Sequence, residues 1–115
     1  MSQTIKTIFY KQRTDFEQSL AKRDSELSLP EGVEVISDIS YAADDSPSHH
    51  LDIYRPFDKN DQELPVVITI HGGGLILGCK EFNRYFCARF SKLGYLVISI
   101  EYRLVPDCLF FDQCE

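Results

Sequence analysis

The sequence predicts an α/β fold: an open mixed sheet of about four strands, containing a parallel βαβ unit and preceded by a helix. The apolar segments 64–70 and 95–100 enclose a glycine-rich loop and a helical segment, which is the order of a βαβ unit. Before them, two segments alternate apolar and polar residues, as half-buried strands do. The N-terminal segment instead repeats apolar residues at helical spacing, so a helix leads the chain.

The first half of the chain contains the leading helix and two predicted strands. The helix covers residues 3–26, with apolar residues near helical spacing at Ile5, Ile8, Phe9, Phe16 and Leu20. Strands are predicted over 33–42 and 50–55, and Pro56 ends the second. One face of that strand holds Leu51 and Ile53. The opposite face includes a histidine and an aspartate that we expect to be exposed at a sheet edge, His50 and Asp52.

The second half of the chain contains the predicted βαβ unit. Residues 64–70 are apolar on both faces, which suits a parallel strand buried on both sides. A helix is predicted over 80–93, with Lys80 among its surface charges and a column of aromatic rings at Phe82, Phe86 and Phe90. Gly94 occupies a position typical of a helix C-terminus, and residues 95–100 form the next buried strand.

Three consecutive glycines follow the strand 64–70, and they require a reason. A phosphate loop is not supported, because Gly73-x-x-x-x-Gly78 is followed by Cys79-Lys80-Glu81 instead of lysine and a hydroxyl residue. A dinucleotide fingerprint would need a glycine at Leu77. A tight turn without a ligand is the plain structural alternative, although it needs fewer glycines. An oxyanion hole is favoured, since His-Gly-Gly-Gly after a strand supplies amides to a carbonyl oxygen under attack.

Three motifs in the same order resemble the hormone-sensitive-lipase-like esterases of the α/β-hydrolase superfamily. His71-Gly72-Gly73-Gly74 and Tyr102-Arg103-Leu104-Val105-Pro106-Asp107 look like the "HGGG … YRLAPE" signature of that family. His50-Leu51-Asp52-Ile53-Tyr54-Arg55-Pro56 resembles the second-strand "LDVYxP" pattern of the same group and of related feruloyl-esterase-like hydrolases. The resemblance covers residues 33–115 and implies a serine esterase or lipase that acts on carboxylic esters without a cofactor.

The resemblance also implies roles for individual residues. It assigns the oxyanion hole to Gly72, Gly73 and Gly74. Gly72 would shape the turn, and Gly73 and Gly74 would supply the amides. His71 would pack and hydrogen-bond to hold the loop, and a general-base role for it is not favoured. Tyr102 would support the loop as well. Arg103 would anchor the segment after the fourth strand, with a solvated surface arginine as the open alternative.

The nucleophile of the superfamily is missing from these residues. No serine has glycines two positions before and after it, so the Gly-x-Ser-x-Gly elbow is absent, and so are the acid and base that follow it. We therefore expect residues 1–30 to be a cap-like helical segment and residues 31–115 to be a hydrolase domain truncated before the elbow. This chain would carry no catalytic residue and be inactive alone. The alternative is a truncated or split product that acts only by association with another chain.

Other kinds of site receive less support from the sequence. A metal site is conceivable only at His50 and Asp52, which share a strand face, and we expect no metal. Cys79 follows the glycine loop but lacks a partner base, so an inert thiol is favoured. The cysteines have no zinc-ribbon spacing, which indicates reduced thiols and a cytoplasmic location: Cys79, Cys87, Cys108 and Cys114.

The charge balance limits the partners of the chain. The formal net charge is −6, which disfavours nucleic acid and anionic membranes as partners. A small-molecule ester is the expected substrate of the complete enzyme. The strand Val66–Ile70 would present a hydrophobic edge without the strand that leads to the nucleophile, so we expect marginal stability and self-association through that edge.

Overall fold

The computed structural model of the chain describes residues 1–59 and 61–115. Short 3₁₀ turns at 47–49, 57–59 and 110–114 connect or follow the main elements. No helix in this part of the chain combines the length and the apolar character needed to cross a bilayer. In chain order, the helices and strands are α1 (Gln3–Glu26), β1 (Val33–Ser40), β2 (His50–Pro56), β3 (Val66–Ile70), α2 (Arg84–Ser91) and β4 (Leu96–Ile100).

The strands form one mixed sheet in the order β1-β2-β4-β3. β1 pairs with β2 and β2 pairs with β4 in antiparallel fashion, whereas β3 and β4 are parallel. The predicted α/β architecture of a leading helix, about four strands and a parallel βαβ unit is confirmed. In the parallel pair, Ile70 lies opposite Ile100, so the loops that follow β3 and β4 begin side by side.

The core lies between α2 and one face of the sheet. It contains Tyr54 from β2 and Val97 from β4, packed against Cys87 and Ala88 of α2. The predicted exposure of Asp52 at a sheet edge is wrong, because its side chain lies on this covered face and is 1% exposed. The reason is tertiary: β2 is an interior strand, and α2 covers the face that carries its polar residues.

The opposite face of β3 is open. Val66, Ile68 and Ile70 are 56%, 60% and 67% exposed, so the predicted burial of this strand on both faces is wrong. A sheet strand is buried on both faces only when layers cover both, and here α2 covers one. The expectation that β3 forms an edge is confirmed, since β4 is its neighbour in the sheet among the described residues.

The helix α1 has the predicted bounds but does not pack through an apolar stripe. Ile5 and Ile8 are 43% and 50% exposed, and the buried residue of the helix is Leu20. Its Ser2 N-cap accepts a hydrogen bond from the amide of Ile5, which satisfies one of the free N–H groups at the helix start. Polar contacts to the loops hold the helix, as described below.

The helix α2 is shorter than predicted and begins at Arg84 instead of residue 80. Lys80 is not on its surface but 5% exposed, because its side chain turns toward β2. Phe86 and Phe90 stack with ring centroids 5.4 Å apart, while Phe82 instead packs on Phe16 of α1 at 5.5 Å. The helix is followed by Gly94, whose φ of +104° is the positive value expected of a glycine near a helix end.

Candidate active site

The glycine loop leaves the carboxyl end of β3 with a backbone that requires glycine at two positions. Gly73 has a φ of +142°, and a Cβ there would lie 2.0 Å from the carbonyl oxygen of Leu77. Gly78 has a φ of +109°, and a Cβ there would lie 2.4 Å from the carbonyl oxygen of Gly72. Both positions therefore exclude any side chain, and the loop closes tightly on itself.

The amides of the three glycines have no partner within the described chain. The N–H groups of Gly72, Gly73 and Gly74 donate to no backbone or side-chain acceptor in residues 1–59 and 61–115. The carbonyl oxygen of Gly73 is engaged, since it accepts a hydrogen bond from the amide of Leu77 at 3.3 Å. Gly72 and Gly74 are exposed and Gly73 is half-buried, so these amides are open to an acceptor from outside the chain.

A cleft of about 440 Å³ lies at the carboxyl ends of β3 and β4, and the three glycines line it. Its other walls are mostly apolar, with Ile70, Leu75, Ile100 and Phe110 among them. Ligands of open α/β sheets bind at this end of the strands. The arrangement suits an apolar group whose oxygen meets the glycine amides.

His71 and Tyr102 lie against the inner side of the glycine loop. His71 is 3% exposed, and its Nε2 lies 2.8 Å from Oε1 of Glu101. The Tyr102 ring stacks on the imidazole with centroids 4.3 Å apart, and its hydroxyl donates to the carbonyl oxygen of His71 at 2.7 Å. The structure thus brings together the two residues predicted to support the loop. Because both ring nitrogens of His71 already have partners, no free nitrogen is available for proton transfer in the cleft.

Behind His71 lies a partly buried polar cluster that was not predicted from the sequence. Glu101 accepts a hydrogen bond from the backbone amide of Lys80 at 3.1 Å through its second oxygen. The ammonium of Lys80 lies 3.0 Å from Oδ1 of Asp52 and 2.8 Å from Oδ1 of Asp38. Burial alone would lower the pKa of Lys80, but hydrogen bonds to Asp38, Glu81 and Asp52 outweigh it and raise the pKa. Hydrogen bonding from Lys80 in turn lowers the pKa of Asp38.

The alternative sites considered from the sequence do not assemble. Asp52 is engaged by Lys80 and by the amide of Asp38, while the nearest carboxylate to His50 is that of Asp38 at 3.9 Å. No group of three or more His, Cys, Asp or Glu side chains that could hold a metal ion occurs among the described residues. Burial raises the pKa of Cys79 to about 12, so its thiol is protonated and a weak nucleophile at neutral pH.

Arg103 makes hydrogen bonds within the segment that follows β4. Its guanidinium donates to the carbonyl oxygen of Asp112, and its own carbonyl oxygen accepts from the side-chain amide of Gln113 at 2.6 Å. Gln113 also donates to the carbonyl oxygen of Leu75 at 3.2 Å. The side chain of Arg103 is half-buried, so the alternative of a freely solvated arginine does not describe it.

A signal for Glu101 was present in the sequence. His71 and Glu101 each directly follow a five-residue strand, and the two strands were predicted to be parallel neighbours. Residues that follow such strands lie at the same edge of the sheet, so an acidic group beside a histidine was foreseeable. The burial of Lys80 had no such signal, since its pairing with Asp52 joins distant parts of the chain.

Comparisons with known proteins place this chain among esterase-related sequences. Residues 51–115 match the BD-FAE family. Probable carboxylesterase 11 of Arabidopsis thaliana is 33% identical over 72 residues, which are 56% of this chain and 16% of that protein. The chain thus spans less than a fifth of the length of that curated relative.

Solved esterases share the fold of almost the whole chain. Inhibited esterase B from Lactobacillus rhamnosis aligns with a TM-score of 0.88 at 27% identity, over 96% of this chain and 36% of its own. An esterase from the archaeon Pyrobaculum calidifontis aligns with a TM-score of 0.67 at 31% identity, over 93% of this chain and 33% of its own. This chain therefore corresponds to about a third of each solved esterase.

Proposed function

The chain belongs to the BD-FAE family of carboxylesterase-type α/β-hydrolases, and from this premise we propose that Gly72, Gly73 and Gly74 form the oxyanion hole of a serine carboxylic-ester hydrolase. The observation that carries the proposal is the set of unpaired amides at Gly72, Gly73 and Gly74, which line a cleft at the carboxyl ends of two parallel strands. In ester hydrolysis, the carbonyl oxygen gains negative charge when a nucleophile attacks the adjacent carbon. Amides fixed in advance stabilise that charge, and losing one donor costs about 10²–10³ in rate.

Within this proposal, residues 31–115 supply oxyanion stabilisation, and residues 1–30 form a helical segment attached to the hydrolase domain. His71, Tyr102 and Arg103 hold the loop and its neighbouring segment in place. The serine nucleophile, the acid and the base would come from sequence other than these 115 residues. The chain alone then binds an anionic oxygen at the loop but does not turn over an ester.

The second candidate function is association with another polypeptide without catalysis by this chain. The observation that favours it is the open face of β3, where Val66, Ile68 and Ile70 are more than half exposed. A contiguous apolar patch at an unpaired strand edge is a pairing site. The two functions are compatible, because a partner could also supply the nucleophile.

The oxyanion hole is tested by titrating the ¹⁵N-labelled chain with butyrate and with butyramide, a neutral analogue of similar shape. We expect butyrate to shift the amide signals of Gly73 and Gly74 downfield and butyramide to shift them less. Gly73→Ala should abolish the response, because its Cβ would collide with the Leu77 carbonyl oxygen. Gly72→Ala is the matched control, since a Cβ there meets nothing within 4 Å, and it should retain the response.

Hydrolysis of 4-nitrophenyl butyrate by the same preparation tests the second part of the proposal. We expect no turnover above the uncatalysed rate. Turnover that Gly73→Ala removes would show that these residues contain a complete catalytic site. Equal shifts with both ligands, or a butyrate response that survives Gly73→Ala, would contradict the oxyanion assignment.

A further inference from the structure

The ring of His71 has an oxygen atom at each of its two nitrogens. Nε2 lies 2.8 Å from Oε1 of Glu101, and Nδ1 lies 3.1 Å from the carbonyl oxygen of Gly72. The side chain is 1% exposed, so water cannot replace either partner. The ring therefore needs a proton on each nitrogen if both contacts are to be hydrogen bonds.

We propose that His71 is an imidazolium paired with the Glu101 carboxylate, and that this buried ion pair orients the Gly72–Gly73 peptide of the glycine loop. A carbonyl oxygen and a carboxylate only accept hydrogen bonds, whereas a neutral imidazole has a single N–H. A neutral ring would set a nitrogen lone pair against one of the two oxygens. The imidazolium donates to both, which satisfies each group in this buried position.

The alternative arrangement moves the proton from the ring to Glu101. The second oxygen of Glu101 accepts a hydrogen bond from the Lys80 amide at 3.1 Å, and such a donor favours the charged carboxylate. A neutral carboxyl would use one oxygen to donate to the ring, and it would accept the Lys80 amide less strongly. The ionised pair is thus the arrangement in which every contact is a charge-assisted hydrogen bond.

Among the charged and titratable groups near the His71 ring, Glu101 is the one that pairs with it. The ammonium of Lys80 faces Asp52 and Asp38 and not the imidazole. The Tyr102 ring stacks on the imidazole, and its hydroxyl is used by the His71 carbonyl oxygen. Burial raises the pKa of Cys79, the nearby thiol, so it adds no negative charge.

The ion pair fixes the direction of an amide in the glycine loop. The C=O and N–H of a trans peptide point in opposite directions. When His71 Nδ1–H holds the oxygen of Gly72, the N–H of Gly73 points away from the ring. The positive charge also polarises this peptide and strengthens its N–H as a donor.

Gly78 makes this contact sterically feasible. A Cβ at Gly78 would lie 2.4 Å both from the Gly72 oxygen and from Nδ1 of His71, so a side chain there would separate them. The inference rests on the proposed oxyanion hole, since it explains how one of its amides is oriented. Glu101 is a positioning residue in this account and touches no substrate.

The test is a long-range ¹H–¹⁵N spectrum of the histidine rings in the full chain at neutral pH. We expect both ring nitrogens of His71 to carry protons that exchange slowly with water. Glu101→Gln should remove the Nε2–H signal, because the new carboxamide keeps its oxygen on the Lys80 amide and turns its NH₂ group toward a ring that is now neutral. The Gly73 amide signal should shift as well, since the charge that polarises the Gly72–Gly73 peptide is lost. Glu81→Gln is the matched control, as Glu81 contacts Lys80 but not the ring, and it should leave both signals unchanged.

The outcomes separate this inference from the proposed function. An unprotonated ring nitrogen in the unsubstituted chain would overturn the ion pair, even if Gly73 responds to butyrate. A charged His71 whose Gly73 amide ignores butyrate would instead contradict the oxyanion hole. The protonation of the His71 ring is measured on the unsubstituted chain, so the ion pair can be tested even if Glu101→Gln folds poorly.

Discussion

Lys80 is a buried cation whose charge is met by carboxylates from different parts of the chain. Asp52 comes from β2, Asp38 from β1 and Glu81 from the neighbouring position. The backbone of Lys80 is also fixed, because its amide donates to Glu101 and its carbonyl oxygen accepts from Ser99 at 2.8 Å. This residue thereby links the strands below α2 to the histidine that supports the glycine loop.

Replacing Lys80 with methionine should reduce the free energy of unfolding by about 3–5 kcal/mol, because Asp52 would stay buried without a counter-charge. Urea denaturation measures the change. Lys11→Met is the matched control, because Lys11 pairs with Asp15 at the surface, where the two side chains are 76% and 58% exposed. Exposed ion pairs contribute little to the free energy of unfolding. Equal effects of the two substitutions would contradict the importance of burial at Lys80.

Among the elements, α1 and β3 depart most from what their sequences suggest. The helix α1 is held by arginines: Arg13 donates to the carbonyl oxygens of Ile76 and Val105, and Arg23 donates to those of Glu81 and Phe82. Such fork-shaped donors satisfy loop carbonyls that no strand or helix would pair. The helix therefore fastens the loops around the site and does not cover the apolar face of β3.

The open face of β3 leads to a prediction about association. We expect the chain to self-associate with rising concentration, and Ile68→Lys to shift it toward monomer, since a charge at a strand edge opposes pairing. Sedimentation velocity measures the distribution of species. Leu27→Lys is the control, because Leu27 is similarly exposed, at 55% against 60% for Ile68, but lies at the end of α1. A monomeric chain at high micromolar concentration would refute the prediction.

At the scale of the whole molecule, the charged contacts set a pH range of stability. Hydrogen bonding lowers the pKa of Asp38, and burial opposes but does not prevent a lowered pKa of Glu81 and Asp107. A carboxyl whose pKa is lowered by folding stabilises the fold fully at a pH above its ordinary pKa. This stabilisation is lost as the pH falls through the pKa that the carboxyl has in the folded chain. The pKa of Lys80 is raised by folding, so Lys80 stabilises the fold fully at a pH below its ordinary pKa. This stabilisation is lost as the pH rises through the pKa that Lys80 has in the folded chain.

We therefore expect these groups to lower the thermal midpoint below about pH 4 and again in strong alkali. Circular dichroism melts across this range test the profile. Lys80→Met should flatten the alkaline decline while lowering the whole curve. A thermal midpoint that stays unchanged below about pH 4 would indicate that other groups govern stability in acid.

The local patterns of the sequence determined the order of the elements, the bounds of α1 and the position of the glycine loop after β3. Such features depend on residues close together in the chain, where periodicity, glycines and prolines act directly. The tertiary structure decided which face of β2 is buried, how Lys80 meets Asp52, and that β3 remains open on one face. Those outcomes depend on which layers cover the sheet and which strands are neighbours, and no single segment encodes that arrangement.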